Sequence, residues 1–271
     1  MRLWMLGSGS RGNAVLLESR GHRVLIDAGF GAGILARRLA AIGVSGESID
    51  AVLITHEHLD HVRGVCAGAK RWGWSVYATA GTIAAYPALH DHNPHCLRAA
   101  ETIELPAFSI CAVATPHDAA EPVAFIATAR ATGARAGVAY DLGHANGSLR
   151  TALQDLDLLV LEANHDEGML RAGPYPPSVR HRIAGSHGHL SNRAAAAIAR
   201  ECAHGQLAHL VLAHLSDSCN DPTLATRAVQ AALGRTRFRG AVHVAPQHDV
   251  CGPFVARRAP QYRAAQLSLE L

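Results

Sequence analysis

Three histidines and one aspartate lie within six residues of one short stretch, in the pattern T-H-x-H-x-D-H at 55–61. Neutral imidazole and carboxylate groups are ligands of borderline divalent ions, and Zn²⁺ is the first candidate by ligand type. His56 and His58 are two apart on an extended segment and therefore point the same way. A turn beyond them can aim Asp60 and His61 at a second ion. The pattern predicts a metal-binding loop, and a surface loop in a histidine-rich chain is the alternative.

A loop that serves two ions needs further donors, and three later residues are suitable. His117, Asp141 and His214 each follow an apolar run that gives way to a loop. Folds that mix strands and helices collect functional groups at such strand ends. Taken singly, a histidine at a strand end is more often a structural residue. Together with the loop at 55–61, the three predict the remainder of a dinuclear site.

The ordered set of these residues resembles the metallo-β-lactamase superfamily over nearly the whole chain, with Asp27 in L-I-D-A-G ahead of the loop. The resemblance implies a four-layer αββα sandwich, an α/β fold that some schemes class as α+β, with the metal site at one edge of the two sheets. It also implies the following roles. One ion is held by His56, His58 and His117, the other by Asp60, His61 and His214, with Asp141 bridging them and Asp27 steadying the histidine loop from behind.

Five further motifs resemble one branch of that superfamily, the WalJ (YycJ)-type proteins. They lie at 7–13, 116–122, 162–166, 188–192 and 214–216. The branch is bacterial, and the resemblance implies phosphodiesterase and 5′-to-3′ DNA exonuclease activity. The Gly-His-x-Ser segment within 188–192 is also similar to tRNase Z and to small phosphodiesterases. The chain has no obvious long arm for tRNA, which argues against tRNase Z.

The chemistry of such a centre suits phosphodiester hydrolysis. Two divalent ions outweigh the charges of Asp60 and Asp141, so a phosphate anion is favoured there. The ions can lower the pKa of a shared water toward ~7 and supply a metal-activated hydroxide for in-line attack. We expect Asp60 to orient that hydroxide. His189 is our candidate to contact the phosphoryl oxygen or to donate a proton to the leaving group, and its alternative role is structural, beside a helix start.

Several other polar residues are candidates for substrate contact. Ser10 and Asn13 lie in a glycine-rich loop that either offers backbone N–H groups to a phosphate or forms a plain tight turn. Asn164 and His165 follow a strand and either touch substrate or support the ligands. We assign the supporting role to His165. The residues assigned to substrate binding are Ser10, Asn13, Asn164, Ser191 and Asn192.

Length and composition indicate a compact, well-packed protein around this site. The 271 residues are 49% hydrophobic and 17% charged with a net charge of +3, which argues for a packed globule and against disorder. Lys70 is the single lysine among 25 basic residues, and this arginine bias leans only weakly toward a phosphate-bearing substrate. Six scattered cysteines without a C-x-x-C pair predict reduced thiols. With no signal peptide and no membrane span recognised, we expect a cytoplasmic protein that does not bind membranes.

Local periodicity predicts the elements that position the site. No linker or low-complexity block divides the chain, so we expect one domain over 1–271, with a C-terminal extension at 253–271 whose role is open. The predicted strands are 3–6, 14–18, 24–27, 51–54, 75–78, 108–115, 123–128, 136–140, 158–161, 207–212 and 241–245, and the predicted helices are 31–42, 148–154, 192–203 and 222–233.

The leading hypothesis is a two-metal hydrolase that cleaves DNA, with Zn²⁺ or Mn²⁺ as its ions and Fe, Co or Ni as further options. A phosphodiesterase for a small cyclic or diester phosphate is the first alternative. An iron-binding oxidoreductase is less favoured, because two-iron relatives replace one loop histidine with a carboxylate. A scaffold protein that has lost activity is disfavoured by the complete ligand set. The sequence leaves metal identity, strand preference and oligomeric state open.

Overall fold

The computed structural model describes residues 1–258. Its strands are β1 Arg2–Gly7, β2 Ala14–Ser19, β3 His22–Ile26, β4 Ala51–Leu53, β5 Ser75–Thr79, β6 His95–Leu97, β7 Thr102–Leu105, β8 Phe108–Ala114, β9 Val123–Ala129, β10 Arg135–Ala139, β11 Leu158–Glu162, β12 His209–Ala213, β13 Ala241–Val244 and β14 Cys251–Val255. Its α-helices are α1 Ala32–Ala41, α2 Leu59–Val62, α3 Val65–Trp72, α4 Ala80–Ala85, α5 Gly147–Ala152, α6 Glu167–Ala172, α7 Pro177–Ala184, α8 Asn192–Cys202 and α9 Pro222–Leu233.

The strands form two seven-stranded sheets of matching design. The first has the order β14-β1-β2-β3-β4-β5-β6 and the second the order β13-β12-β11-β10-β9-β8-β7. In the first sheet β1, β2 and β3 pair antiparallel, and β3 to β6 pair parallel. In the second sheet β7 to β10 pair antiparallel, and β10 to β13 pair parallel. Each sheet is therefore a meander followed by crossovers that run through helices.

The two sheets pack face to face because their strands are apolar on both sides. Along β1, Leu3 and Met5 enter a core shared with Phe108 and Val160 of the second sheet. Their neighbours along the strand point the other way, as side chains in a strand must, and pack under α1 and α3. A third cluster lies between the second sheet and α5, α8 and α9. The layers run helix, sheet, sheet, helix, which confirms the predicted αββα sandwich.

The sequence left three alternatives open for the C-terminal tail, an edge strand, an ordered wrap or a loose end, and its first residues belong to an edge strand. Residues 251–255 form β14, which pairs antiparallel with β1 at the edge of the first sheet. Residues 259–271 of the predicted extension lie outside the described residues. The assignment of 1–271 to one domain stays a prediction. Over the described span 1–258, no helix has both the length and the apolar character that a bilayer crossing requires.

The strands most relevant to function end at one edge of the sandwich. The C-terminal ends of β4 in the first sheet and of β8, β10 and β12 in the second lead into the loops that carry the predicted ligands, and the ends of β3 and β11 lead to the predicted supporting residues Asp27 and His165. Parallel strands of one sheet end on the same side, and open sheets of this type bind ligands there. The topology therefore brings the predicted metal ligands, which are up to 158 positions apart in sequence from His56 to His214, to a common edge.

Candidate metal centre

Two groups of metal-ligating side chains meet at this edge. In the first, ligand atoms of His56, His58 and His117 lie within 4.8 Å of one another. The Nε2 atom of His56 is 3.0 Å from Nδ1 of His58, and the His117 ring stands edge-on to both neighbours. The first two residues follow β4 and the third follows β8, so the group draws on both sheets.

The second group contains Asp60, His61, Asp141 and His214, again within 4.8 Å of one another. The Asp141 Oδ2 atom is 2.6 Å from Nε2 of His61 and 3.4 Å from Nε2 of His56. Asp141 therefore contacts a member of each group, which is the position that a bridging carboxylate requires. Asp60 contacts the ring Nε2 atoms of both His61 and His214 at 3.4 Å.

The donor set fits a pair of divalent cations. Imidazole nitrogens and carboxylate oxygens are the ligands that Zn²⁺ and related ions use. Two of these atoms, His117 Nε2 and Asp141 Oδ1, are buried without a hydrogen-bond partner. Buried polar atoms without a partner are costly unless something else satisfies them, and a cation at this edge would do so.

A buried hydrogen-bond network holds the histidine loop from behind. Asp27 follows β3 and accepts hydrogen bonds from the Thr55 backbone N–H at 2.8 Å and from the Tyr140 hydroxyl at 2.7 Å. Its Oδ2 atom is also 2.7 Å from Nδ1 of His61. A carboxylate on the far ring nitrogen sets the tautomer of a metal-binding histidine, so that Nε2 faces the ion. This is the contact expected of Asp27, and Tyr140 is a partner that the sequence did not reveal.

Three of the residues at this edge adopt left-handed backbone conformations. The φ angles are +58° for Asp27, +55° for Asp141 and +56° for His214. Such conformations cost of order 1–3 kcal/mol each and persist only where the surroundings impose them. Each of the three directly follows the end of a strand or lies one residue past it, so the sheets set the backbone from which the donors project.

Close packing of three loops orients Asp60. The Asn13 backbone N–H donates to the carbonyl of Asp60 at 2.7 Å, and the Asn13 side-chain amide lies 3.3 Å from Asp60 Oδ2. Asn13 is fully buried, so it acts on the ligand loop and its side chain does not reach solvent. Gly29 makes the approach feasible, because a Cβ atom there would lie 1.7 Å from the Asp60 carbonyl oxygen.

We expect Gly29→Ala to destabilise the metal-free protein by about 2 kcal/mol, because the added methyl group collides with the Asp60 backbone. Urea unfolding followed by circular dichroism measures the change. Gly33→Ala is the matched control, since a Cβ at Gly33 meets nothing within 4 Å and alanine favours a helix by up to about 1 kcal/mol. Equal stabilities of the two variants would show that this contact does not constrain the loop.

A histidine–glutamate pair borders the second group. The His189 Nδ1 atom is 2.7 Å from Oε1 of Glu162, while Glu162 Oε2 accepts the backbone N–H groups of Leu142 and Leu190 at 2.8 and 3.1 Å. Glu162 is fully buried at the end of β11. Its ligand atoms and those of His189 lie within 4.8 Å of Asp141 and His214. Glu162 was not singled out from the sequence, although an acidic residue ending an apolar strand was the available signal.

Electrostatics follow from this burial and pairing. Burial alone lowers the pKa of His189, but the carboxylates of Glu162 and Asp141 outweigh it and raise that pKa well above the ordinary value. The same competition raises the pKa of His214 to about 9 and that of His61 well above its usual range. The pKa of His56 falls, chiefly through burial. The metal-free site thus balances its carboxylates with protonated imidazoles.

A cavity of about 180 Å³ opens onto both groups. His58, Asp60, His117, Asp141, His189 and His214 line it, together with Ser10, Asp118, Arg182, Ile183 and Gly188. Its wall therefore combines the donors with the His189 ring and a guanidinium group. Of the residues predicted to bind substrate, Ser10 alone reaches this cavity. Arg182 and Asp118 were not predicted.

The other predicted contact residues occupy structural positions near the edge. Asn164 is buried, and its side-chain amide is 3.2 Å from Nδ1 of His214, so it lies against a ligand. Ser191 caps α8 by accepting the N–H of Ala194. Asn192 exchanges two side-chain hydrogen bonds with Asn220. No side-chain hydrogen bond joins His165 to the seven predicted ligands in the described part of the chain, and its ring lines a separate cavity.

Comparison with known proteins agrees with this architecture. A family model described as a beta-lactamase superfamily domain matches residues 22–215. The chain is 30% identical to exodeoxyribonuclease WalJ of Streptococcus pneumoniae over 85% of its own length and 89% of that protein. It is 28% identical to exodeoxyribonuclease YycJ of Bacillus anthracis over 86% and 89% of the two chains. The crystal structure of the metallo-beta-lactamase fold protein YhfI from Bacillus subtilis superposes with a TM-score of 0.71 at 21% identity, covering 92% of this chain and 98% of that one.

Proposed function

The chain belongs to the beta-lactamase superfamily, in the branch that includes the WalJ and YycJ exodeoxyribonucleases, and we propose that it degrades DNA from the 5′ end. It is a metal-dependent hydrolase, and a phosphodiester is the substrate class that its relatives support. The proposal adds the identity of the substrate as DNA, the polarity of cleavage and the residues that act.

One observation supports the proposal most directly. Seven N and O donors from two sheets converge at one edge of the sandwich, and five of them line a cavity that the His189 ring and the Arg182 guanidinium also border. A site of this kind favours an anion with a leaving group that needs a proton. We assign one ion to His56, His58 and His117 and the other to Asp60, His61 and His214, with Asp141 shared. Zn²⁺ and Mn²⁺ are the ions we propose.

When bound, two divalent cations supply Lewis acidity that polarises the phosphoryl group and lowers the pKa of water toward ~7. The protein's own groups then position the reactants. Asp60 is partly exposed to the cavity and can accept a hydrogen bond from a water molecule, which orients that water toward phosphorus. The Arg182 guanidinium, on the wall of the same cavity, can hold a phosphate oxygen by charge-assisted hydrogen bonds.

His189 is the residue to which we assign proton transfer. Because Nδ1 contacts Glu162, Nε2 is the ring nitrogen left for the substrate. In the metal-free site the carboxylates of Glu162 and Asp141 raise the pKa of His189, which favours the protonated ring, and Nε2 of that ring is placed to donate a proton to the departing oxygen of the sugar. Glu162 does not touch the cavity and acts through His189, as a positioning residue.

The proposal is tested by an exonuclease assay on oligonucleotides blocked at one end. Purified protein is stripped of metal, then supplied with Zn²⁺ or Mn²⁺ and given single-stranded and duplex DNA labelled internally. We expect metal-dependent release of nucleotides from 3′-blocked DNA and none from 5′-blocked DNA. Cleavage of bis(4-nitrophenyl) phosphate without cleavage of any DNA would replace this proposal with a small-diester phosphodiesterase. A coloured, iron-loaded, redox-active protein would replace it with an oxidoreductase.

Metal binding should also stabilise the fold. At a metal concentration of 100 times the Kd, we expect a gain of about 2.7 kcal/mol, or a Tm increase of about 5 °C or more for a chain of this size. Differential scanning calorimetry of chelated and metal-supplied protein measures it. The gain should shrink at pH 5, because protons compete for the histidine nitrogens. An unchanged Tm with each of Zn²⁺, Mn²⁺, Co²⁺, Ni²⁺ and Fe²⁺ would contradict the metal assignment.

A further inference from the structure

A second cavity, of about 430 Å³, lies between α6 and α7. Leu170, Pro177 and Ala184 give it apolar walls, Arg171 and Arg180 add cationic groups, and His181 adds an imidazole ring. Its volume is in the range of small-molecule sites, which combine apolar walls with a few polar groups. None of these residues belongs to the centre described above, so the cavity needs an explanation of its own.

Helix α7 separates this cavity from the metal-centre cavity. Pro177, Arg180, His181 and Ala184 are spaced as i, i+3, i+4 and i+7, which places them on one face of the helix, and they line the second cavity. Arg182 and Ile183 lie between these positions in sequence and line the metal-centre cavity. One helix thus presents an arginine to each cavity, and the two cavities are neighbours.

The wall of the second cavity includes an unsatisfied buried histidine. His165 is 2% exposed, and its Nδ1 atom is buried without a hydrogen-bond partner. Its backbone is bridged to Ser191 and bonds to Leu190, which directly follow His189. Buried polar atoms without partners are uncommon, and one in a cavity wall indicates a position where a ligand atom can supply the missing hydrogen bond.

The charges of the cavity favour an anionic ligand. Glu167 is its one acidic residue, and that carboxylate already accepts hydrogen bonds from Arg193 at 2.9 Å and from the Ser191 hydroxyl at 3.1 Å. Arg171 and Arg180 each donate one guanidinium N–H to a backbone carbonyl, and the remaining N–H groups of both side chains are available to a ligand. The cavity therefore suits a ligand with an apolar part, a hydrogen-bonding edge and a nearby negative charge.

We propose that the cavity between α6 and α7, with His165 in its wall, binds the base of a nucleotide next to the scissile phosphate of a DNA strand. The inference rests on the proposed function, and it adds a base-binding subsite to the phosphate site. A base can enter only when it is unpaired, so duplex ends must fray before this subsite is filled. Arg180 and Arg182, on the two faces of α7, would then hold the phosphates on either side of the helix.

The test scans the substrate with single abasic residues. Single-stranded oligonucleotides carry one tetrahydrofuran residue at successive positions from the 5′ end, and kcat/KM is measured for each. An abasic residue lacks the apolar surface and the hydrogen-bonding edge that the cavity would hold, so we expect kcat/KM to fall about tenfold at one position and to change little at the others. The longer side chain of Ala184→Leu occupies the cavity. In this variant we expect kcat/KM for the natural substrate to fall about tenfold, and we expect the abasic residue to cause no further loss.

Ala172→Leu is the matched control, because Ala172 is exposed on α6 and does not line the cavity. Arg180→Gln gives a second measurement if Ala184→Leu folds poorly. We expect this variant to raise KM several-fold and to leave kcat unchanged. Hydrolysis of bis(4-nitrophenyl) phosphate separates the two levels of failure. Wild type that cleaves this diester but no DNA would overturn the proposed function. Wild type that cleaves DNA with equal rates on all abasic substrates, or an abasic penalty retained in Ala184→Leu, would overturn the subsite alone.

Discussion

His58→Ala is expected to lower kcat/KM for DNA hydrolysis about 1,000-fold or more, equal to about 4 kcal/mol of transition-state stabilisation. His58 is one of only three donors in the first ligand group, and its ring lines the metal-centre cavity. Removing it leaves His56, His117 and the shared Asp141 carboxylate, so the first ion loses one of its protein ligands and is held less firmly. The measurement is the rate of nucleotide release, together with the metal content per chain by mass spectrometry.

His90→Ala is the control for that variant, since His90 is exposed and its side chain makes no hydrogen bond in the described part of the structure. It should keep wild-type rates and metal content. In His58→Ala, we expect the rate of nucleotide release and the metal content to fall together, with the loss of about one ion per chain. Full activity in His58→Ala would remove the basis for the two-metal assignment.

Glu162→Gln is expected to lower kcat/KM about 100-fold, within the ~10²–10⁴-fold range for general acid catalysis. Both the Leu142 and the Leu190 N–H groups donate to the same Glu162 oxygen, so the Gln oxygen can still accept them, but the negative charge beside His189 is removed. That charge is a main reason why the pKa of His189 is raised. A general acid must be protonated, and activity falls as pH rises through its pKa. We therefore expect the alkaline limb of the pH–rate profile to move to lower pH.

This shift of the alkaline limb distinguishes positioning from a merely structural role. A variant that only disturbed packing would lower the rate at every pH by the same factor. Glu104→Gln is the control, because Glu104 is exposed on β7, the edge strand of the second sheet, and does not line the metal-centre cavity. A profile of unchanged shape in Glu162→Gln would show that Glu162 does not tune the acid, even if the rate falls.

Much of the fold was predictable because its strands are apolar on both faces and separated by turn residues. The strands 108–115, 123–128 and 158–161 and the helix 222–233 were placed within a residue or two of the observed bounds. Helix α7 was not predicted, since none of its residues is buried and it carries no hydrophobic period. Strand β14 itself begins with cysteine, glycine and proline, a poor strand signal, and it depends on pairing with β1, which is distant in sequence.

The same contrast between local and long-range features applies to the candidate site. The loop at 55–61 is recognisable because its four donors are neighbours in the chain. Glu162 and His189 are 27 residues apart, and Tyr140 and Asp27 are 113 apart, so nothing local signals that they meet. The cavity beside His165 likewise exists only once α6 and α7 are in place. Resemblance to a family supplied the order of the ligands, whereas their supporting contacts required the three-dimensional arrangement.

The two ligand groups have a consequence for how the protein assembles. Each group takes donors from both sheets, with His56 and Asp60 from the first and His117 and Asp141 from the second. Neither half of the polypeptide carries a complete coordination sphere, so tight uptake of the ions must come after the halves have joined. The moment at which metal is taken up during refolding would therefore report when the two halves of the sandwich have joined. A chaperone or chelator that acts earlier would encounter only histidines with low affinity for metal.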